Sequence, residues 1–141
     1  MARAMGKKDF EALAEFRYQL RRFLRFSEDL TQSHGVTPLQ YQLLLQLKGF
    51  PERSHATVGE LAERLQAKHH GVVALVTRCE DLGLVRRRPS PRDLRQVEVH
   101  LTAAGERQVE RLAQAHRDEL ASLPALRAVP ALRAERRVAA P

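Results

Sequence analysis

At 141 residues, with 43% hydrophobic and 29% charged side chains, the chain has room for one ordinary core and a globular rather than disordered composition. Its longest apolar run, Val72-Val73-Ala74-Leu75-Val76, is too short to span a bilayer, and Lys7 and Lys8 precede no apolar stretch that would make a secretory signal. The net charge of +7 is unevenly spread: residues 84–102 hold five arginines against Asp93 and Glu98, whereas residues 36–83 hold five basic and five acidic groups.

Residues 9–33 carry Leu13, Phe16, Leu20, Phe23 and Leu30 at spacings of three, four and seven, which predicts one long helix with a single apolar stripe. Arg17, Arg21, Arg22 and Arg25 fall largely off that stripe, and Gly35 suits a C-terminal cap. A second helix is expected from Thr37, with Pro38 in its first turn and Gln40 completing a capping box. It carries Leu39, Leu43, Leu44 and Leu47 and stops at Gly49, and residues 50–55 read as a linker. Thr57 and Glu60 form a second capping box, which opens a short helix through Leu65.

Gln66-Ala67-Lys68 is a tight turn before a fourth helix, His69 to Leu82, whose apolar face is Val72, Leu75, Val76, Cys79 and Leu82. After Gly83 the period changes. Val97, Val99 and Leu101 alternate with Gln96, Glu98 and His100, as in a strand with one buried face. Residues 84–88 are its expected partner, with 89–94 as the loop. Thr102 then caps a long helix bearing Val109, Leu112, Ala113, Leu120 and Leu123. The tail repeats Pro-Ala-Leu-Arg-Ala at 124–128 and 130–134, and Pro130 stops or kinks any helix there.

A short capped helix, a three-residue turn and a longer helix make a helix-turn-helix. The side of the fourth helix opposite its apolar stripe carries His69, His70, Val73, Ala74, Thr77 and Arg78. Such groups suit a major groove: Arg78 can pair with guanine, Thr77 can donate or accept, and Val73 or Ala74 can touch a thymine methyl. Lys68 adds a cation where the helix start offers backbone N–H groups to a phosphate. A solvated helix face explains the same pattern until the arginine-rich hairpin is added. Arg88, Arg92 and Arg95 gather at the loop end, where a protruding arginine enters a narrow minor groove, and Asp93 can hold that loop in shape.

Leu61-Ala62-Glu63-Arg64-Leu65, Leu82-Gly83-Leu84-Val85-Arg86-Arg87, Asp93-Leu94-Arg95 and Leu101-Thr102-Ala103-Ala104-Gly105 resemble, in order and spacing over about residues 10–122, the MarR family of winged-helix regulators. The resemblance implies a mainly α fold with a small β-hairpin wing: a winged helix-turn-helix at 36–101, with dimerisation helices at 9–33 and 103–137 in a single domain of 1–141. It implies a homodimer on a pseudo-palindromic duplex operator, with residues 68–78 as recognition segment and Arg95 as the wing-tip arginine supported by Asp93. The single cysteine, which cannot form an internal disulfide, points to the cytoplasm. Lys68 stands where the family often has a small polar cap, and Gly71 and Ala74 stand where it often has polar or basic residues. The first helix lacks both the tryptophan of the urate-responsive branch and the cysteine of the peroxide-sensing branch.

The expected role is therefore a repressor released by a small effector. Phe16, Phe23, His34 and Tyr41 are candidate lining for an aromatic acid, although each serves equally as core. The alternatives are a winged-helix protein-interaction module and a redox- or metal-responsive regulator. Cys79 lies on the buried stripe and has no second cysteine to resolve a sulfenic acid. His69 and His70, considered with His34, His100 and His116, are a weak metal set, because adjacent histidines on a helix point about 100° apart. Neither a cofactor nor a metal is expected, and no catalytic constellation is recognisable.

Overall fold

A computed structural model describes residues 4–124. The element order is α1 (Lys7–Ser33), α2 (Pro38–Lys48), β1 (His55–Thr57), α3 (Val58–Leu65), α4 (His69–Asp81), β2 (Val85–Pro89), β3 (Val97–Leu101) and α5 (Ala103–Ala121). The tail repeat and the expected helical extension to 137 lie outside the described residues, apart from Pro124. No helix among the described residues is long and apolar enough to cross a membrane.

The chain forms two compact units. One is residues 30–114; the other comprises, among the described residues, 4–29 and 115–124. In the latter, His116 is buried with its ring edge-on to Phe23 and Phe26, each 5.7 Å between centroids, and its Nε2 lies 2.9 Å from Ser27 Oγ.

The unit 30–114 holds a continuous apolar core built from α2, α3, α4 and the inner face of the sheet, including Leu43, Leu44, Leu47, Ala56, Leu61, Val76, Val85 and Val99. Both capping boxes form. Thr37 Oγ1 accepts from Gln40 N while Gln40 Oε1 accepts from Thr37 N, and Thr57 and Glu60 repeat the exchange. Each ties two otherwise orphaned N–H groups at a helix start. The Gln66 backbone enters the left-handed region (φ 50°), which turns the chain sharply between α3 and α4.

The hairpin is part of a three-stranded antiparallel sheet of order β1-β3-β2. β1 pairs His55 with His100 and Thr57 with Glu98, and β2 pairs Val85 with Leu101 and Arg88 with Glu98. The linker reading of residues 50–55 therefore ends one residue late, since His55 already belongs to a strand. Two leucines assigned to inward faces point out: Leu39 and Leu82 are each 49% exposed. Leu39 lies in the first turn of α2, ahead of its packed stripe, and Leu82 is the C-cap of α4, one residue before the chain turns away at Gly83. Leu120, at the end of α5, is also exposed.

The root of the hairpin explains the Leu-Thr-x-x-Gly sequence at 101–105. Thr102 Oγ1 donates to the Gly83 carbonyl at 2.6 Å and accepts from Gly105 N at 3.0 Å, while Thr102 N donates to the Leu84 carbonyl at 3.1 Å. The first turn of α5 is thus pinned against the α4–β2 corner. A Cβ at Gly105 would overlap the Leu84 carbonyl oxygen, so only glycine permits this approach. Gly83, at φ 75°, makes the corner itself.

Candidate nucleic-acid interface

α4 divides as its sequence predicts. Val72, Leu75, Val76 and Cys79 are buried, while His69, His70, Val73, Ala74, Thr77 and Arg78 are exposed together along the other side. Lys68, the N-cap residue, is exposed and makes no side-chain cap bond. The N–H groups of the first turn are therefore left without a side-chain acceptor, an arrangement that suits an anion.

The exposed face is held at an angle to the wing by Arg87, a residue that sequence reasoning left among the generic hairpin arginines. Its Nη1 donates to Glu80 Oε1 at 2.9 Å, and its Nη2 donates to the Val73 carbonyl at 3.0 Å and to Thr77 Oγ1 at 2.8 Å. Its backbone N–H donates to Glu80 Oε2 at 3.0 Å. That backbone bond, joined by the guanidinium, holds the Glu80 carboxyl below its ordinary value. A signal was present in the sequence: Arg87 shares strand parity with buried Val85, so it must lean toward the helix side rather than outward.

The same contact constrains Thr77. Its hydroxyl donates to the Val73 carbonyl at 3.1 Å and accepts from Arg87, so of its hydrogen-bonding capacity only one acceptor lone pair is left. The side chains of Arg78, Val73 and Ala74 carry no such tie.

The wing tip is preformed without being buried. Ser90 N donates to the Gln96 carbonyl at 3.0 Å and Gln96 N to the Asp93 carbonyl at 2.9 Å, closing the loop. The buried Ser90 hydroxyl accepts from Arg92 N and Asp93 N at 3.3 and 3.4 Å. Asp93 Oδ1 accepts from Arg95 N at 3.0 Å and from Arg95 Nε at 3.3 Å. Asp93 thus orients the Arg95 stem, yet the Arg95 side chain stays 91% exposed. Arg88 and Arg92 are exposed as well.

Elsewhere in this unit several charges are paired. Arg53 lies 4.3 Å over the Phe50 ring and bonds Glu60. Burial pushes the Glu60 carboxyl up, but the bonds from Arg53 and Thr57 outweigh it and hold the group below its ordinary value. Lys48 pairs with Glu106 and Glu110, and the bond to Glu106 raises its pKa. Cys79 is fully buried and desolvation pushes its thiol up to about 11, which makes it a poor nucleophile.

The four aromatic-acid candidates fall in both units. Phe16 and Phe23 belong to the unit of terminal segments, and Phe23 packs edge-on to His116. His34 and Tyr41 belong to the other: His34 Nδ1 lies 2.9 Å from the Leu30 carbonyl oxygen, and Tyr41 is 2% exposed within the core, with burial raising its pKa.

A family model described as MarR family matches residues 34–96. A candidate transcriptional regulatory protein for the hcr operon of Thauera aromatica is 31% identical over 99 residues, which cover 70% of this chain and 58% of that protein. The chain therefore spans less than two thirds of that relative's length. A MarR family protein from Bacillus stearothermophilus has a similar fold, with a TM-score of 0.73 at 24% identity and 96% of each chain covered. A mutant MarR from E. coli complexed with operator DNA superposes with a TM-score of 0.68 at 21% identity, covering 88% of this chain and 90% of that one. With the capped helix-turn-helix, the arginine wing and the pinned Leu-Thr-x-x-Gly corner in place, the chain has the winged-helix fold of MarR family structures and matches the MarR family model over residues 34–96.

Proposed function

We infer that the chain is a cytoplasmic, homodimeric repressor that binds a pseudo-palindromic duplex operator and leaves it when a small aromatic acid binds. The observation that carries the DNA reading is one rigid joint. Arg87 fixes an exposed face of hydrogen-bonding and small apolar side chains on α4 against a wing whose Arg95 is preoriented and solvent-facing. α4 fits a major groove through Arg78, Val73 and Ala74, with His69, His70 and Thr77 on the same exposed face. Arg95 fits the adjoining minor groove, and Arg88, Arg92 and Lys68 neutralise phosphates. The operator-bound E. coli relative supports the same docking.

The dimer is supported by uncovered apolar surface. Phe10, Leu13 and Leu24 are exposed on one side of α1, and Leu120 is exposed on α5. A second copy is the natural cover for such a stripe. Sedimentation equilibrium at micromolar concentration is expected to give twice the chain mass; a stable folded monomer contradicts this.

The DNA reading is tested by selecting duplexes from a random pool with the full chain. Recovery of an inverted repeat with half-sites about one helical turn apart is expected. Failure to enrich any duplex leaves the winged helix as a protein-interaction module. Effector release is tested separately, by titrating salicylate and related aromatic acids into the complex and repeating the titration with His34→Ala.

A further inference from the structure

The outer face of the sheet carries a cluster that the DNA reading does not use. His55 of β1 and His100 of β3 are direct cross-strand partners, and Glu98 stands two residues before His100 on the same face. Their imidazoles stack at 4.7 Å between centroids, with 16° between planes. Both rings turn Nε2 toward one carboxylate oxygen, Glu98 Oε1, at 3.7 Å from His55 and 3.0 Å from His100. The two nitrogens and the oxygen lie within 4.8 Å of one another, and all three side chains are partly shielded from solvent.

We propose that His55 Nε2, His100 Nε2 and Glu98 Oε1 form a three-ligand site for a borderline divalent transition ion of the zinc type, bridging β1 to the wing strand β3. Such an ion binds imidazole nitrogen and carboxylate oxygen at about 2.0–2.2 Å, so ligand atoms at tetrahedral corners stand roughly 3.4 Å apart. The observed 3.0 and 3.7 Å bracket that spacing for the two histidine–carboxylate pairs, and the stacked rings must turn out of their near-parallel arrangement for both nitrogens to face one ion. Two imidazoles with one carboxylate select zinc, cobalt, nickel or copper over magnesium or calcium, which favour all-oxygen shells. A fourth position is left for water.

Glu98 lies on β3, which begins directly after Gln96 closes the wing loop that carries Arg95, so an ion held there would tie β1 to the wing. Arg86 and Arg88 of β2 stand opposite His100 and Glu98 in the ladder. Their charges oppose a dication, so affinity is expected to be weaker than that of a closed four-ligand structural site.

The test uses the full, metal-free chain with Co2+ and Zn2+ as probes. Co2+ is expected to give visible absorption that Zn2+ displaces, and Zn2+ is expected to perturb the imidazole Nε2 resonances of His55 and His100 in the wild-type protein. His55→Ala and His100→Ala should each weaken binding at least tenfold, while Glu98→Gln should weaken it without altering the circular dichroism. A His69→Ala/His70→Ala variant should bind as the wild type does. Absence of Co2+ or Zn2+ binding overturns the proposal. So does binding that shifts other histidines and leaves His55 and His100 unmoved, a result read on the wild type and so independent of how any variant folds. DNA binding is not a readout, so failure here is distinct from failure of the repressor reading.

Discussion

The root and the tip of the wing are both arginine-rich, and they use that residue in opposite ways. At the root Arg87 is half-buried and bonded to Glu80, Thr77 and the Val73 carbonyl, beside the corner where Gly105 presses on Leu84. At the tip Arg95 is held through its backbone and Nε by Asp93, and its guanidinium lies in solvent. A guanidinium against the helix fixes the angle between α4 and the wing. One at the loop end stays available to a phosphate-rich partner. Charge counted along the sequence merges the two kinds, and only their neighbours separate them.

Root substitutions should therefore act on folding, and tip substitutions on binding alone. The largest effect is expected from Gly105→Ala, whose methyl group meets backbone that cannot move without opening the α4–β2 corner. Denaturant unfolding should show a loss of about 3 kcal/mol. A loss below about 1 kcal/mol would mean the corner is softer than described. On the helix, Arg78→Ala should leave stability within about 0.5 kcal/mol, but cost about 1–3 kcal/mol of discrimination at one base pair per half-site. Equal losses on selected and random duplex would remove Arg78 from base reading.

Arg87→Ala should cost about 1 kcal/mol of stability, a modest figure because Arg87 and Glu80 are both partly solvated. Unlike Arg95→Ala, it should also reduce sequence selectivity, since the helix and wing lose their joint. The same contact gives an acid dependence. Glu80 titrates below its ordinary value in the fold, so its contribution is complete above the unfolded carboxylate pKa of about 4.3. It is lost as pH falls through the lower folded value. The stability difference between wild type and Arg87→Ala should therefore narrow at acid pH without vanishing, because the bonds from Arg87 to Thr77 and the Val73 carbonyl do not titrate. A constant difference would contradict the pairing. The smallest effect concerns Cys79. With its thiol raised to about 11, modification at pH 8 should be slow and should track unfolding. Rapid labelling of folded protein would restore a redox role.

Much of this comparison was legible beforehand because it rests on local rules. Thr37 with Gln40 and Thr57 with Glu60 announced two helix starts through hydrogen bonds spanning three residues. The period-two stretch around Val99 announced a strand. What escaped depends on distant partners. β1 is three residues long, too short for alternation to register, and it is a strand only because β3 lies beside it. The cluster of His55, Glu98 and His100 escaped for the same reason, being assembled across that pairing. Arg87 was hidden by its neighbours Arg86 and Arg88, which point the other way. Leu39 and Leu82 were assigned inward by periodicity, although helix ends depart from the packed stripe.

The central claim is that α4 and the wing bind duplex DNA, with Arg95 supplying affinity that is indifferent to sequence. Fluorescence anisotropy titrations of a generic duplex, with wild type and Arg95→Ala across a salt series, test it most directly. For the wild type, log affinity should fall linearly with log salt concentration, as release of condensed counterions requires, and Arg95→Ala should make the slope shallower by about one per engaged wing. No duplex binding at low salt, an affinity indifferent to salt, or an identical slope for the two proteins would contradict the account.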